Sequence, residues 1–174
     1  HSAISRIANT PKPAIAAVNG VVAGGGVGLM LACDLIYAIE TATLTMAYTR
    51  IGANPDASST FWLPRLVGMR RALELTYLNR ELTAREAFAW GLINGVIATD
   101  KFPDEVYGVA KQLANGPTLA YARSKRLCSV SLSQTLESQM ELEAREICES
   151  GRTDDFREGI IAFTKKRTPT FHGG

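Results

Sequence analysis

Residues 12–35, KPAIAAVNGVVAGGGVGLMLACDL, decide the fold, because the texture of the chain changes three times within them. Residues 14–18 are a short, continuously apolar run, the pattern of a strand covered on both faces, and Asn19-Gly20 ends it in a turn. Gly24-Gly25-Gly26 then opens residues 27–32, which are apolar on all sides as in a buried helix. Residues 35–39 form a second apolar strand. Strand, glycine turn, helix and strand in that order predict an α/β chain with a mostly parallel sheet.

Upstream, residues 2–9 read as the tail of a helix that Pro11 and Pro13 interrupt. So abrupt an opening, just before a strand, leads us to expect a further segment ahead of it. Downstream, residues 44–48 predict a third strand, with Leu44, Met46 and Tyr48 on one face and Thr45 and Ala47 on the other. Residues 61–66 and 70–78 carry apolar residues at helical spacing. Thr83-x-x-Glu86 is a capping box opening a short helix that Gly91 stops, and Val96-Ile97 is a brief extended piece. Helices are expected around 103–114, 118–130, 133–150 and 154–166. Thr153, Asp154 and Asp155 open the last of these, and Lys165, Lys166 and Arg167 close it, as the helix dipole favours. We divide the chain into a β/α core over 1–70 and a helical region over 71–174.

The 174 residues are 46% apolar and 21% charged, with a net charge of +2, which is globular composition without a basic footprint for nucleic acid. The longest apolar stretch, 14–38, is broken by Asn19, glycines and Asp34, so no membrane span is expected. Cys33, Cys128 and Cys148 are odd in number and widely spaced, which predicts reduced, buried thiols in a cytoplasmic compartment rather than a disulfide framework or a metal site. His1 and His172 stand at the two ends, so a histidine-centred mechanism is not expected.

Three glycines at a helix start let backbone N–H groups approach a ligand with no side chain in the way. The residues alone leave three uses open: a phosphate cradle, an oxyanion hole, or tight packing of helix on strand. Leu29 stands where a dinucleotide fingerprint needs its last glycine, and no Lys-Ser/Thr follows, which weakens the first. Asp56, within NPDASST at 54–60, has two readings in the same way: an N-cap of the helix that follows, or a proton-transferring carboxylate.

Lys12-Pro13-Ala14-Ile15-Ala16-Ala17-Val18-Asn19-Gly20, Gly24-Gly25-Gly26 and Cys33-Asp34 resemble the KPxIAAVNG…GGG…CD signature of the enoyl-CoA hydratase/isomerase (crotonase) superfamily. The likeness continues through Ile51-Gly52-x-x-Pro55, Leu63-Pro64-Arg65-Leu66-Val67-Gly68, Leu82-Thr83-Ala84-x-Glu86-Ala87, Trp90-Gly91-Leu92, Asp155-x-x-Glu158-Gly159 and Phe163-x-x-Lys166-Arg167. It covers the whole chain. Ile51-Gly52-x-x-Pro55-Asp56 with Thr60 is most similar to the 1,2-epoxyphenylacetyl-CoA isomerase type.

The resemblance implies a spiral of β-β-α turns, a C-terminal helical region that assembles trimers or hexamers, and acyl-CoA substrates, with no metal or cofactor beyond the CoA of the substrate. It implies that the thioester oxygen is held by two backbone N–H groups, one from Gly25 beside Gly24 and one from a strand ahead of Lys12. Family members run about half again as long, so the first third of the family pattern is expected to be missing. The two glutamates of family hydratases fall on Gly28 and Tyr48, which disfavours two-acid hydration. Family isomerases and a dehalogenase place an aspartate at Asp56, and many relatives have Gly-Gly at Ser58-Ser59. Tyr48 would shape the acyl pocket.

Phe163 and Lys166 fall on positions that touch the adenine and phosphate end of CoA; read without the resemblance, Lys166 is a last-turn cation. Burial of Asp56 against Met46, Phe61 and Trp62 would favour its protonated form and strengthen it as a base. Trp90 reads as core, and Asp34 as a structural side chain bonding backbone amides. The expected function is therefore double-bond or ring isomerisation of a CoA thioester, in the manner of fatty acid metabolism. The alternatives are enoyl-CoA hydration (a lyase), CoA-ester hydrolysis or dehalogenation, or a non-catalytic assembly subunit.

Overall fold

In the computed structural model, which describes residues 1–174, α1 (Ser2–Asn9) leads into β1 (Ile15–Val18). There follow β2 (Val22–Ala23), α2 (Gly25–Leu31), β3 (Leu35–Ile39) and β4 (Thr43–Thr45). Next come α3 (Ser59–Val67), α4 (Met69–Leu78), β5 (Leu82–Thr83), α5 (Ala84–Ala89) and β6 (Gly95–Ile97). The chain finishes with α6 (Phe102–Ala114), α7 (Thr118–Ser131), α8 (Leu136–Ser150) and α9 (Asp154–Thr164). Two compact units result: His1–Ala8 with Ala14–Tyr107, and Asn9–Pro13 with Gly108–Gly174.

The first unit holds two three-stranded sheets. One has the order β1-β3-β6, all parallel; in the other β2 runs parallel to β4 and β4 antiparallel to β5. Polar side chains set where the first ladder starts. Asp34 Oδ2 accepts the Ala14 N–H at 2.7 Å, and the Asp34 N–H donates to the Ala14 carbonyl at 2.9 Å. Asn94 does the same at β6, its Oδ1 accepting the Ile36 N–H at 2.7 Å and its own N–H donating to the Ile36 carbonyl at 2.8 Å. The pleat then turns Ile36 and Ala38 inward, against Val27, Met30 and Leu31 of α2.

Several elements differ from the sequence-based expectation. β1 is an edge strand with Ala17 exposed, so it is not covered on both faces. The short β2 was not expected, since two residues carry no readable period. β4 ends at Thr45, because Ala47 adopts φ 56°, a left-handed turn that starts the 3-10 segment Tyr48–Ile51. Tyr48 therefore leaves the face occupied by Leu44 and the buried Met46. The compact units divide near residue 107 rather than 70, because β5 and β6 complete the two sheets. Trp90 is half-buried, with the guanidinium groups of Arg71 and Arg80 4.6 and 5.2 Å from its ring. The capping box is present, with the Thr83 N–H donating to Glu86 Oε2 at 3.0 Å and the Glu86 N–H to Thr83 Oγ1 at 3.3 Å.

In the second unit α7 and α8 run antiparallel. Glu146 on α8 pairs with Arg123 and Arg126 on α7, and Gln139 donates to the Leu127 carbonyl at 3.2 Å. Cys128 and Cys148 are exposed thiols rather than buried ones, because these two helices bury no residue completely. No helix is long and apolar enough to cross a membrane. α9 is capped by Thr153, whose Oγ1 accepts the Phe156 N–H at 3.2 Å. The chain then folds back, and the buried Asp155 carboxylate accepts the N–H groups of His172 and Gly173 at 2.8 and 2.9 Å. Lys165 to Arg167 stand beyond the last helical residue, Thr164, instead of in the last turn. Lys166 has φ 52°, and Arg167 clamps Glu158 through two bonds of 2.6 and 2.7 Å.

The Arg167 bonds, with the Thr170 N–H after them, hold the Glu158 carboxyl down from 4.5 to about 2. A depressed folded-state value contributes stability above the unfolded value, and that contribution is lost as pH falls from 4.5 towards 2. Glu158→Gln should therefore flatten the acid limb of thermal stability over that window and leave its shape at neutral pH unchanged, as read by melting temperature against pH.

Candidate active site

Gly24 begins the site. Its φ of 53° is a glycine conformation, and its N–H donates to the Thr45 carbonyl at 3.1 Å, which ties the glycine turn to β4. The N–H groups of Gly25 and Gly26 make no backbone hydrogen bond, and both residues are exposed. Gly25, expected to supply the oxyanion donor, thus has a free N–H, while Gly24, expected beside it at the substrate, holds the turn in shape.

Tyr48 and Asp56 converge on this turn. The Tyr48 hydroxyl donates to Asp56 Oδ1. A methyl group placed on Gly25 would stand 3.6 Å from Tyr48 Oη and 3.8 Å from Ala57 Cβ. Four expected site residues, Gly24, Gly25, Tyr48 and Asp56, therefore lie together. Phe163, 85% exposed, and Lys166, also exposed, belong to the helical unit.

Asp56 is not an N-cap. α3 starts at Ser59 with Ser58 in the cap position and no side-chain cap bond. Only the backbone carbonyl of Asp56 serves the helix start, accepting Ser59 Oγ at 2.7 Å and the Ser59 N–H at 3.1 Å. Nor is Asp56 packed against an apolar wall: its side chain is 58% exposed. Met46 faces a small core cavity with Val27 and Leu63, Phe61 lies under the Arg65 guanidinium at 3.8 Å, and Trp62 meets Phe61 edge-on.

The turn carrying Asp56 is strained. Ala57 has φ 52° and Ser58 φ 64°, both left-handed without glycine, at a typical cost of about 1–3 kcal/mol each. The Ala57 carbonyl is seated against α2 where Gly28 has no side chain; a Cβ on Gly28 would lie 1.8 Å from that oxygen. Gly28 is the position where the resemblance puts a hydratase glutamate, and here the space for such a side chain holds backbone.

His1 was set aside on sequence because it stands at the end of the chain. Its Nε2 lies 3.9 Å from Asp56 Oδ2, so the two carboxylate oxygens face different partners, a phenol and an imidazole. No sequence spacing could reveal this pairing across 55 residues.

Burial first, and the hydrogen bond to Asp56 after it, push the Tyr48 phenol above its ordinary value of 10. It stays a protonated donor at neutral pH, and its favourable contact is lost as pH rises beyond 10. An alkaline absorbance titration should contain a component ionising above 10 that Tyr48→Phe removes and that Asp56→Asn moves down, because the carboxylate's charge is gone.

Known proteins resemble this chain along its whole length. The enoyl-CoA hydratase/isomerase family model matches residues 1–174. A Rhodobacter capsulatus protein named "Probable enoyl-CoA hydratase" is 42% identical over 170 residues, covering 98% of this chain and 66% of its own length. The 1,2-epoxyphenylacetyl-CoA isomerase of Escherichia coli is 38% identical, covering 98% and 65%. A 4-chlorobenzoyl coenzyme A dehalogenase of Arthrobacter is 41% identical, covering 95% and 60%. The chain thus spans just under two thirds of the length of these relatives. The crystal structure of an enoyl-CoA hydratase from Polaromonas superposes with a TM-score of 0.94 at 34% identity, over 99% of this chain and 67% of that one. With residues 1–174 matched by the family model and the crotonase-like fold reproduced, the chain belongs to the enoyl-CoA hydratase/isomerase family.

Proposed function

We propose that this chain carries the proton-transferring part of an acyl-CoA isomerase site. The observation that carries the reading is the Asp56 carboxylate, held through one oxygen by Tyr48 beside the free N–H of Gly25. A CoA thioester with its carbonyl oxygen at the Gly25 N–H becomes more acidic at the adjacent carbon, since the donor stabilises the developing enolate. One such donor typically supplies ~2.7–4 kcal/mol of transition-state stabilisation. Asp56 Oδ2 takes the proton from one carbon and returns it to another; Tyr48 keeps Oδ1 engaged, so a single oxygen moves the proton. The resemblance implies a second backbone donor on a strand ahead of Lys12.

A single carboxylate suffices for isomerisation, whereas hydration also needs a group to activate water. The backbone of Ala57 at Gly28 supports isomerisation over two-acid hydration. Proton transfer of this kind asks for no metal or redox cofactor. Phe163 and Lys166 are offered as contacts for the adenine and phosphates of CoA, in keeping with their exposure. The exposed Leu132, Leu136, Met140 and Ile147 of the helical unit support assembly into trimers or hexamers.

A second reading rests on His1. With its imidazole 3.9 Å from Asp56, the carboxylate could act as a nucleophile. It would attack an acyl carbon, expelling thiolate and leaving a mixed anhydride, or an aryl carbon, expelling halide and leaving an aryl ester; water deprotonated by His1 would then add at the Asp56 carbonyl, releasing the acid or the phenol and restoring Asp56. Solvent ¹⁸O found in Asp56 after one turnover would establish this route and exclude the first.

In the full-length protein, Asp56→Asn keeps the shape of the side chain and removes the base. The isomerisation rate of an enoyl-CoA should fall by roughly 10²–10⁴, the usual worth of general base catalysis. The Kd for the CoA ester should change little. Turnover at the wild-type rate in Asp56→Asn would end the proposal.

A further inference from the structure

We propose that Gly28 is a positioning residue: its missing side chain is the seat on which the Asp56 turn rests, and that contact sets the carboxylate against the Gly25 N–H. The inference rests on the reading of Asp56 as the proton mover.

Gly25 and Gly28 are three residues apart in α2 and so share one face of it. Both open towards Ala57. A Cβ on Gly25 would stand 3.8 Å from Ala57 Cβ; one on Gly28 would stand 1.8 Å from the Ala57 oxygen, 2.7 Å from its carbonyl carbon and 2.9 Å from its Cβ. Gly28 is buried, and Ala57 is 9% exposed. This is backbone packed on backbone, with no flexible side chain to absorb a change.

The turn is gripped on its other side as well. The fully buried Ser59 donates its Oγ and its N–H to the Asp56 carbonyl at 2.7 and 3.1 Å. The Ser58 carbonyl accepts the N–H groups of Phe61 and Trp62 at 2.9 and 3.2 Å. Ala57 and Ser58 are thus held left-handed between α2 and the start of α3. Residues kept in such a conformation persist where their surroundings over-determine them, and here they stand directly beside Asp56.

The consequence is geometric. α2 carries the Gly25 N–H at its start and the seat for Asp56 one turn later. One rigid element therefore fixes both ends of the proton path, and the distance between them depends on how closely the Ala57 carbonyl approaches Gly28. An ordinary contact at Cβ is 3.4–4 Å, so a methyl group at Gly28 must drive the carbonyl back by well over 1 Å. A misplacement of about 1 Å typically costs 10²-fold in rate.

The test is steady-state kinetics of the full-length protein with an enoyl-CoA, alongside circular dichroism and urea midpoints. Gly28→Ala should lower kcat by about 10²-fold with little change in KM. Ala57→Gly removes left-handed strain and loosens the turn, so it should keep or raise the urea midpoint while lowering kcat at constant KM. A seat that is only packing predicts the opposite for Ala57→Gly, unchanged kcat with a higher midpoint, and that result overturns the proposal. If Gly28→Ala does not fold, Ala57→Gly decides alone. Asp56→Asn separates the two readings. Full turnover there removes Asp56 as the base; an inactive Asp56→Asn beside wild-type kcat in Ala57→Gly removes only the positioning role.

Discussion

The missing side chain at Gly28 is the constraint on which the site depends. Because nothing projects from α2 there, the Ala57 carbonyl packs directly on the helix, and the chain after it must turn left-handed twice before α3 can begin. The same packing fills the space of a second acid. Asp56 is thus brought to the glycine turn and a glutamate is kept from it by a single contact between two backbones.

The carboxylates of the chain are sorted by partner. Asp34 is bound to the Ala14 amide and sets the register of β1 on β3. Glu86 closes the capping box, and the Thr83 amide, helped by the Thr83 hydroxyl and the Arg80 guanidinium, draws its carboxyl below the ordinary value. Glu146 joins α7 to α8, Asp155 receives the backbone of the chain end, and Glu158 is clamped by Arg167. All of these accept from amides or guanidinium groups that fix backbone or join two helices, which is a structural use. Asp56 differs in that its hydrogen-bond donor is a phenol and its side chain is open to solvent. Among these acids it is the one whose side chain ties down no helix end, sheet or chain end.

Much of this was legible in the sequence. Apolar runs separated by the glycine turn revealed β1, α2 and β3, and Thr83-x-x-Glu86 marked the start of α5, because these signals are local. Gly24, Gly25, Tyr48 and Asp56 were legible through the family pattern and do converge. What escaped had non-local causes. The end of β4 follows from a left-handed Ala47, a residue with no sequence preference for that conformation. The expected wall around Asp56 failed because Met46 faces a core cavity and Trp62 packs edge-on against Phe61. Gly28 could be read as the absence of a glutamate, but not as the seat of Ala57. Ser58 is not a glycine and still occupies a glycine conformation, so the backbone there follows the surrounding packing rather than its own residue.

Asp56 as the proton mover is tested most directly by following hydrogen at the substrate. A CoA thioester incubated in D₂O with the full-length protein can be read by NMR for deuterium at the carbon next to the carbonyl. If Asp56 takes and returns that proton, the wild-type protein washes deuterium into the position and Asp56→Asn, with CoA-ester binding retained, does not. Deuterium entering at the same rate in both proteins would contradict the role assigned to Asp56.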